Sequence, residues 1–233
     1  MDVLVIDVGA THVKFRLSDN DEVRRFRSGP MLTAERLVRT VLEQTKHWNY
    51  DVVSIGYPGA VGAGVPIREP GNLSSGWVGY DFIAAFERPV RLVNDAILQA
   101  LGAYRGGRML FLGLGTGIGS AVVSEHVLIP LELGSLPHPR GGILFEHLGR
   151  AARQERGHAA WQADVFDITP ALRVAMAADY VVLGGGNGRK VDPLPPDTYR
   201  GGSHDAFEGG VRLWEEFVEP HDAEPAARWR IVR

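Results

Sequence analysis

Two glycine turns and one carboxylate carry the chemistry in this chain. The first turn is Asp7-Val8-Gly9-Ala10-Thr11-His12-Val13-Lys14, and the second is Leu112-Gly113-Leu114-Gly115-Thr116-Gly117-Ile118-Gly119. Between them, Leu92-Val93-Asn94-Asp95 closes an apolar run on a carboxylate. Bare glycine backbone lets N–H groups approach and donate to phosphate oxygens, so two such turns suit a polyanion held from two sides. A carboxylate between them is placed to take a proton from an attacking hydroxyl. Together they point to phosphoryl transfer to an alcohol.

Each motif also has a plainer account. Gly9-Ala10-Thr11 can offer N–H groups and a hydroxyl, Lys14 adds charge, and Asp7 could hold a hydrated Mg²⁺. A tight hairpin whose glycine only supplies positive φ explains the same residues. Gly113 to Gly119 lacks the spacing of a dinucleotide loop, and no Lys-Ser or Lys-Thr makes it a Walker loop. Glycines at every second position weaken a strand, which favours a phosphate cup over a packed strand crossing. Asp95 suits a helix cap as well as a partly desolvated base. Asn72 and Trp77 in Pro70–Trp77 are sugar-contacting types, but a turn Asn and a core Trp account for them. Glu132 can accept two hydroxyls, or be a surface residue beside a turn. Gly184-Gly185-Gly186 can lie against a ribose or adenine, or simply turn a strand into a helix. His126, His138, His147 and His158 match no zinc spacing and read mostly as surface residues.

The elements that must position these groups alternate between strands and helices. Val3–Val8, Val13–Leu17, Val23–Arg27, Val52–Tyr57 and Val90–Val93 read as strands. Thr33 caps a helix to about Trp48, and Ala96–Tyr104 reads as another. Gly59–Gly79 is a Gly-, Pro- and Ser-rich loop. Met109–Leu114 and Ser120–Ser124 flank the second glycine turn and repeat the strand–turn–strand unit of the N-terminus. Further helices are expected over Phe145–Glu155, from a Thr169 cap to Ala177, and over Phe207–Val218. Tyr180–Leu183 is a strand and Val191–Gly202 a proline-rich loop, while Pro220–Arg233 reads as a polar tail. Two related α/β lobes around a cleft fit this order. The first would run over 1–96, completed by 205–219, and the second over 97–204.

Composition narrows the setting. The chain has 233 residues, 45% of them apolar, and a formal charge of −3, so there is no basic nucleic-acid footprint. It has no cysteine, which removes disulfides, thiolate zinc sites and a cysteine nucleophile. No signal peptide or membrane-length apolar run is read, so the expectation is a cytoplasmic protein with no membrane or nucleic-acid partner.

The order of motifs resembles the ROK family (repressors, open reading frames and sugar kinases). The first turn, Gly56-Tyr57-Pro58-Gly59, Asn72–Trp77, Leu92–Ala96, Leu112–Ser120, Leu131-Glu132-Leu133-Gly134, Val182–Gly186 and Gly209-Gly210 follow in that family's sequence. The short length and the Asn-to-Trp loop look most like its polyphosphate/ATP glucokinase branch. The resemblance implies an α/β, actin-like, hexokinase-type (ribonuclease H-like) fold with mixed sheets and two lobes closing over a central cleft. It implies Asp95 as general base, with Asn72, Asn94 and Glu132 on the sugar. Gly9, Thr11, Lys14, Gly115, Thr116 and Gly117 would line the phosphates, with Gly184, Gly185 and Gly186 beside an adenine. It further implies Mg²⁺, with ATP or polyphosphate as donor, no zinc, and a homodimer with no interface legible in the sequence.

Three departures stand out. Ala10 replaces the family's second glycine, Ser135 replaces its sugar-side histidine, and the cysteine-rich zinc motif is absent. His138 is the nearest histidine that could reach toward the sugar. The first two departures keep open a non-catalytic sugar- or nucleotide-binding regulator on the same fold, and a kinase for a non-glucose acceptor. Arg140, Arg150, Arg153 and Arg156 form a candidate basic track for polyphosphate.

Overall fold

The structure is a computed structural model, and it describes residues 1–125, 127–215 and 230–231. The chain opens with β1 (Val3–Val8), β2 (His12–Leu17) and β3 (Arg24–Arg27), then α1 (Ala34–Thr45) and β4 (Val52–Tyr57). A small hairpin, β5 (Val61–Gly62) and β6 (Val65–Pro66), precedes α2 (Phe82–Phe86), β7 (Val90–Asn94) and α3 (Asp95–Ala103). β8 (Met109–Leu114), β9 (Ile118–Ser124) and β10 (Val127–Leu131) follow. Then come α4 (Leu144–Leu148), α5 (Arg150–Arg156), α6 (His158–Ala175), β11 (Tyr180–Gly184), α7 (Gly185–Gly188), β12 (Thr198–Arg200), α8 (Asp205–Arg212) and β13 (Arg230–Ile231).

The strand order β3-β2-β1-β4-β7 of the first sheet recurs in the second as β10-β9-β8-β11-β12. The strand directions repeat as well: the first hairpin pairs are antiparallel and the later strands add in parallel. β13 adds a parallel strand outside β10. The two hairpin-first units of the sequence are therefore two copies of one mixed-sheet topology. Parallel strands covered on both faces lose their polar alternation, which is why β4 is buried along its whole length.

Three apolar clusters hold the layers. One packs α1 under the first sheet through Leu37, Val38 and Val41. Another packs α6 on the second sheet through Trp161, Val165 and Leu172. The third lies between the sheets, around α3 and α8. These two helices cross at glycines: a Cβ on Gly209 would sit 2.9 Å from the Gly102 nitrogen, and one on Gly102 would sit 2.8 Å from the Asp205 Cα. The next residue, Gly210, brings α8 onto β1 beside Val5, and its carbonyl accepts a 2.6 Å bond from the Ser54 hydroxyl.

Several local expectations change. Thr169 does not start a helix; it is buried inside α6, which runs through Pro170. Pro170 has no N–H for the carbonyl one turn back, yet the buried stripe Trp161, Val165, Ile168 and Leu172 keeps the helix continuous. The helix expected over Phe145–Glu155 is broken into α4 and α5 at Gly149. The last helix ends at Arg212, well before Val218, which lies outside the described residues. The proline-rich loop contains β12. In the expected polar tail, Arg230–Ile231 joins the second sheet, and the remaining positions from 220 onward lie outside the described residues. No helix among the described residues is long and apolar enough to cross a membrane.

Candidate active site

A cavity of about 990 Å³ opens between the two sheets. It is lined by Asp7, Gly9, Thr11 and Lys14 from the first hairpin, by Gly115, Thr116 and Gly117 from the second, and by Asn72, Asn94, Asp95, Glu132, Gly185 and Gly186. Gly184 does not reach it; that residue ends β11 against the Phe111 ring. Trp77 also stays out: it is buried in the first sheet's core, and its indole N–H donates to the Leu32 carbonyl.

Asp95 sits where β7 becomes α3. The cap is Asn94, whose side-chain oxygen accepts the Ala96 N–H at 2.9 Å. Asn94 also donates to the Gly59 carbonyl at 3.1 Å, which ties the Pro58-Gly59 turn to the helix start. An amide has two N–H donors, so one remains for a ligand. Asp95 is the first helical residue and is half-buried on the cavity floor. Its Oδ1 also accepts the Ala96 N–H. Desolvation, and then the negative charges of Asp7 and Glu132, push its carboxyl up to about 7; the backbone N–H bonds pull the other way. Asp7 is raised by burial too, partly offset by Lys14 across the β1–β2 register.

The glycine turns differ in what they leave open. A Cβ on Gly9 would sit 2.9 Å from the His12 carbonyl, so that turn is internally tight. A Cβ on Gly115 would meet nothing within 4 Å, and its φ is not positive. Neither packing nor backbone strain requires glycine there; what its absent side chain leaves is bare backbone facing the cavity. Ala10 sits in the first turn without positive φ, so its methyl is accommodated. The Arg150 backbone N–H donates to the Gly115 carbonyl at 3.1 Å, which ties the start of α5 to the second turn. Of the four candidate track arginines, Arg150 lines the cavity; His12 and Phe145 line it too, and local patterns do not mark either as a site residue.

Other expectations fall elsewhere. Ser135 is exposed and is not among the lining residues. His138 is no surface residue: it is buried, stacks on His147 with ring centroids 3.5 Å apart, and faces the fully buried Asp164. It does not turn toward the cavity. Arg140 and Arg156 both pair with Asp164, so neither is free to form a track beside the cavity. His138, His147 and Asp164 come close enough to suggest a metal site. The hydrogen bonds oppose it. His138 Nδ1 accepts the Arg140 backbone N–H, and His147 Nδ1 accepts from the Arg156 guanidinium while its Nε2 donates to the Gly141 carbonyl. Both Nδ1 lone pairs are taken and both Nε2 atoms carry hydrogen, which leaves no imidazole lone pair for a cation. His158 is exposed, and His126 lies outside the described residues.

No protein-family model matches the chain. It is 28% identical to the polyphosphate glucokinase of Mycobacterium leprae, over 82% of this chain and 65% of that one. It is 29% identical to the polyphosphate glucokinase of Mycobacterium tuberculosis H37Rv, over 82% of this chain and 80% of that one. Among solved structures, the polyphosphate/ATP-glucomannokinase of an Arthrobacter species superposes with a TM-score of 0.76 at 23% identity, covering 90% of this chain and 96% of that one. A ROK glucokinase of Streptomyces griseus, solved with glucose and AMPPNP, superposes with a TM-score of 0.70 at 14% identity, covering 91% and 99%.

The chain is similar in sequence to polyphosphate glucokinases and in fold to ROK sugar kinases.

The fold is the actin-like, hexokinase-type one, and its doubled sheet order is the physical content of that likeness. The match takes in less than two thirds of the M. leprae protein's length, as it does of no other relative named above.

Asp95 carries a stability consequence. A folded-state carboxyl raised to about 7 makes ionisation unfavourable to the fold. That cost is absent near pH 4, where the folded carboxyl is protonated, and is fully present above pH 7. Asp95→Asn is therefore expected to stabilise the protein at pH 8 by on the order of 1–3 kcal/mol, with the gain vanishing near pH 4. Urea unfolding of both proteins at the two pH values checks this; equal stability at pH 8 would refute the desolvated carboxylate.

Proposed function

We propose that this chain is a kinase that transfers a phosphoryl group from ATP or polyphosphate to a hydroxyl of glucose or a close hexose. The observation that carries the reading is the raised Asp95 carboxyl on the floor of a cavity walled by two glycine hairpins. A base with a pKa near the working pH combines sufficient ionisation with sufficient basicity. The names of the relatives support a sugar acceptor and one of these two donors.

In this mechanism Asn72, Asn94 and Glu132 orient the sugar so that one hydroxyl lies against Asp95. The hydroxyl oxygen forms a bond to the terminal phosphorus while the bond from that phosphorus to the rest of the donor breaks. Asp95 takes the hydroxyl proton, and the donor leaves one phosphate shorter. Backbone N–H groups around Gly9 and Gly115 to Gly117, with the Thr11 and Thr116 hydroxyls and Lys14, hold the charge that spreads over the phosphate oxygens. Gly185 and Gly186 give an adenosine moiety bare backbone to lie on, with Gly184 shaping the strand beneath. Asp7 is the residue that would hold Mg²⁺: its charge is desolvated beside the cavity, which fits a cation neighbour. Bound there, Mg²⁺ would neutralise charge on the donor phosphates.

The lobes 1–96, with 205–219 returning to them, and 97–204 are the bodies we expect to close over the substrates, although 216–219 lie outside the described residues. Closure would keep water from the donor. Either donor fits a cytoplasmic setting.

The test is phosphorylation of a hexose panel by the purified protein with Mg²⁺, using ATP and polyphosphate, with Asp95→Asn alongside. Sugar phosphate is expected with at least one donor, with turnover down by 10³-fold or more in Asp95→Asn. Undiminished turnover in that variant would remove Asp95 from the chemistry. No turnover, with a sugar or nucleotide still raising the melting temperature, would instead establish a binding regulator. A second variant probes the donor side. The Gly115→Val side chain enters open space rather than the core. It should raise the donor KM about tenfold or more and leave the sugar KM within twofold. An equal rise in both would contradict the assignment of this turn to the donor.

A further inference from the structure

The face of the first sheet that looks into the cleft is strongly basic beyond the cavity itself. Cross-strand partners share a face of a sheet. Asp7 lies opposite Lys14, and Lys14 lies opposite Arg25; one pair further along, His12 lies opposite Arg27. The alternate residues Val13, Phe15 and Phe26 point the other way, into the α1 core. His12, Lys14, Arg25 and Arg27 therefore form one stripe running from the cavity wall to the edge strand β3. Lys14, Arg25 and Arg27 are exposed, and none forms an ion pair among the described residues. The neighbouring arginines are differently engaged: Arg16 pairs with Asp21, and Arg24 turns to the opposite face over Trp48. The single acidic group at the head of the stripe is Asp7, inside the cavity.

We propose that this stripe is a track for inorganic polyphosphate, and that Arg25 and Arg27 set the preference of the enzyme for long donor chains over ATP. The inference rests on the kinase reading above for the reaction itself. A linear chain with one negative charge per repeat needs cations at successive positions leading away from the transferred phosphate. β3 stands two strands from β1, roughly 10 Å away, beyond the span of the cavity wall that holds the reacting phosphate. ATP ends its phosphates after three units and continues as a nucleoside, for which a row of guanidiniums offers nothing. A long chain continues as phosphate and meets Arg25 and Arg27. Guanidinium suits this role because it stays charged and can donate two parallel N–H bonds to phosphate oxygens. The candidates Arg140 and Arg156 are engaged elsewhere: both are drawn to the buried Asp164, and Arg140 also pairs with Asp167.

The experiment compares wild type, Arg25→Glu/Arg27→Glu and Arg25→Lys/Arg27→Lys at fixed ionic strength. KM is measured for long-chain polyphosphate, tripolyphosphate and ATP, and binding of long-chain polyphosphate is followed separately by titration calorimetry without sugar. The track predicts that the glutamate pair raises KM for long chains at least tenfold. It predicts KM within twofold for tripolyphosphate and ATP, an unchanged kcat, and recovery of most of the long-chain affinity in the lysine pair. A long-chain KM within twofold of wild type, or an equal rise for all three donors, would overturn it. Wild type that uses ATP but neither uses nor binds polyphosphate would overturn the track and leave the kinase reading standing. Polyphosphate binding that depends on Arg25 and Arg27, with no turnover on any donor, would keep the track and remove the kinase reading.

Discussion

The crossing of α3 and α8 at Gly102 and Gly209 fixes the rest of the molecule. Each helix follows the last strand of its own repeat of the sheet, and each packs against the other where a single added carbon would collide with backbone. Close backbone approach lets the two sheets share one apolar layer, and α8 reaches back to β1 through Gly210. α3 then touches both sheets and points its first turn into the cleft. Gly119 on β9 leaves only enough room for the methyl of Ala96, so the start of α3 is held against the second glycine hairpin. β7 runs straight into α3, so Asp95 is placed by that strand's pairing in the first sheet together with the packing of α3 at Ala96 and Gly102.

That position is electrostatically costly. The first turn of a helix normally favours a carboxylate, through free N–H groups and the macrodipole. Here burial and the charges of Asp7 and Glu132 outweigh that help. Three carboxylates around one cavity are poorly tolerated until cations and a polyanion share the space. Lys14, Arg150 and the glycine N–H groups supply positive potential on the walls, and the Arg25–Arg27 edge extends it outward. Functional sites commonly sacrifice stability in this way.

Much of this was legible in the sequence because the informative features are local. A glycine turn between two apolar runs is a short-range pattern, and both hairpins fold as read. Asn94-Asp95 at the end of a strand announced a helix start, although which of the two side chains caps depends on geometry: Asn94 does, which leaves Asp95 in the cavity. What failed was non-local. Thr169 reads as the cap of a new helix, whereas the packing of Trp161 and Leu172 on the second sheet carries α6 through it and Pro170. His138, His147 and Asp164 lie far apart in the chain, so neither their meeting nor their capture of Arg140 and Arg156 could be read from spacing. The basic stripe needed the β2–β3 register, because a shift of one residue would have sent Arg25 and Arg27 to the opposite face.

The most direct test of the central claim is the pH dependence of kcat/KM for the sugar, measured from pH 5 to 9 in wild type and Asp95→Glu with the donor saturating. The raised Asp95 carboxyl predicts a rise with pH that levels off around a midpoint near 7, because the base works only when ionised. The midpoint should move in Asp95→Glu, whereas a titration of the donor phosphates would stay in place. A profile flat from pH 5 to 9, as a carboxyl with an ordinary pKa would give, would contradict a desolvated Asp95 acting as the base.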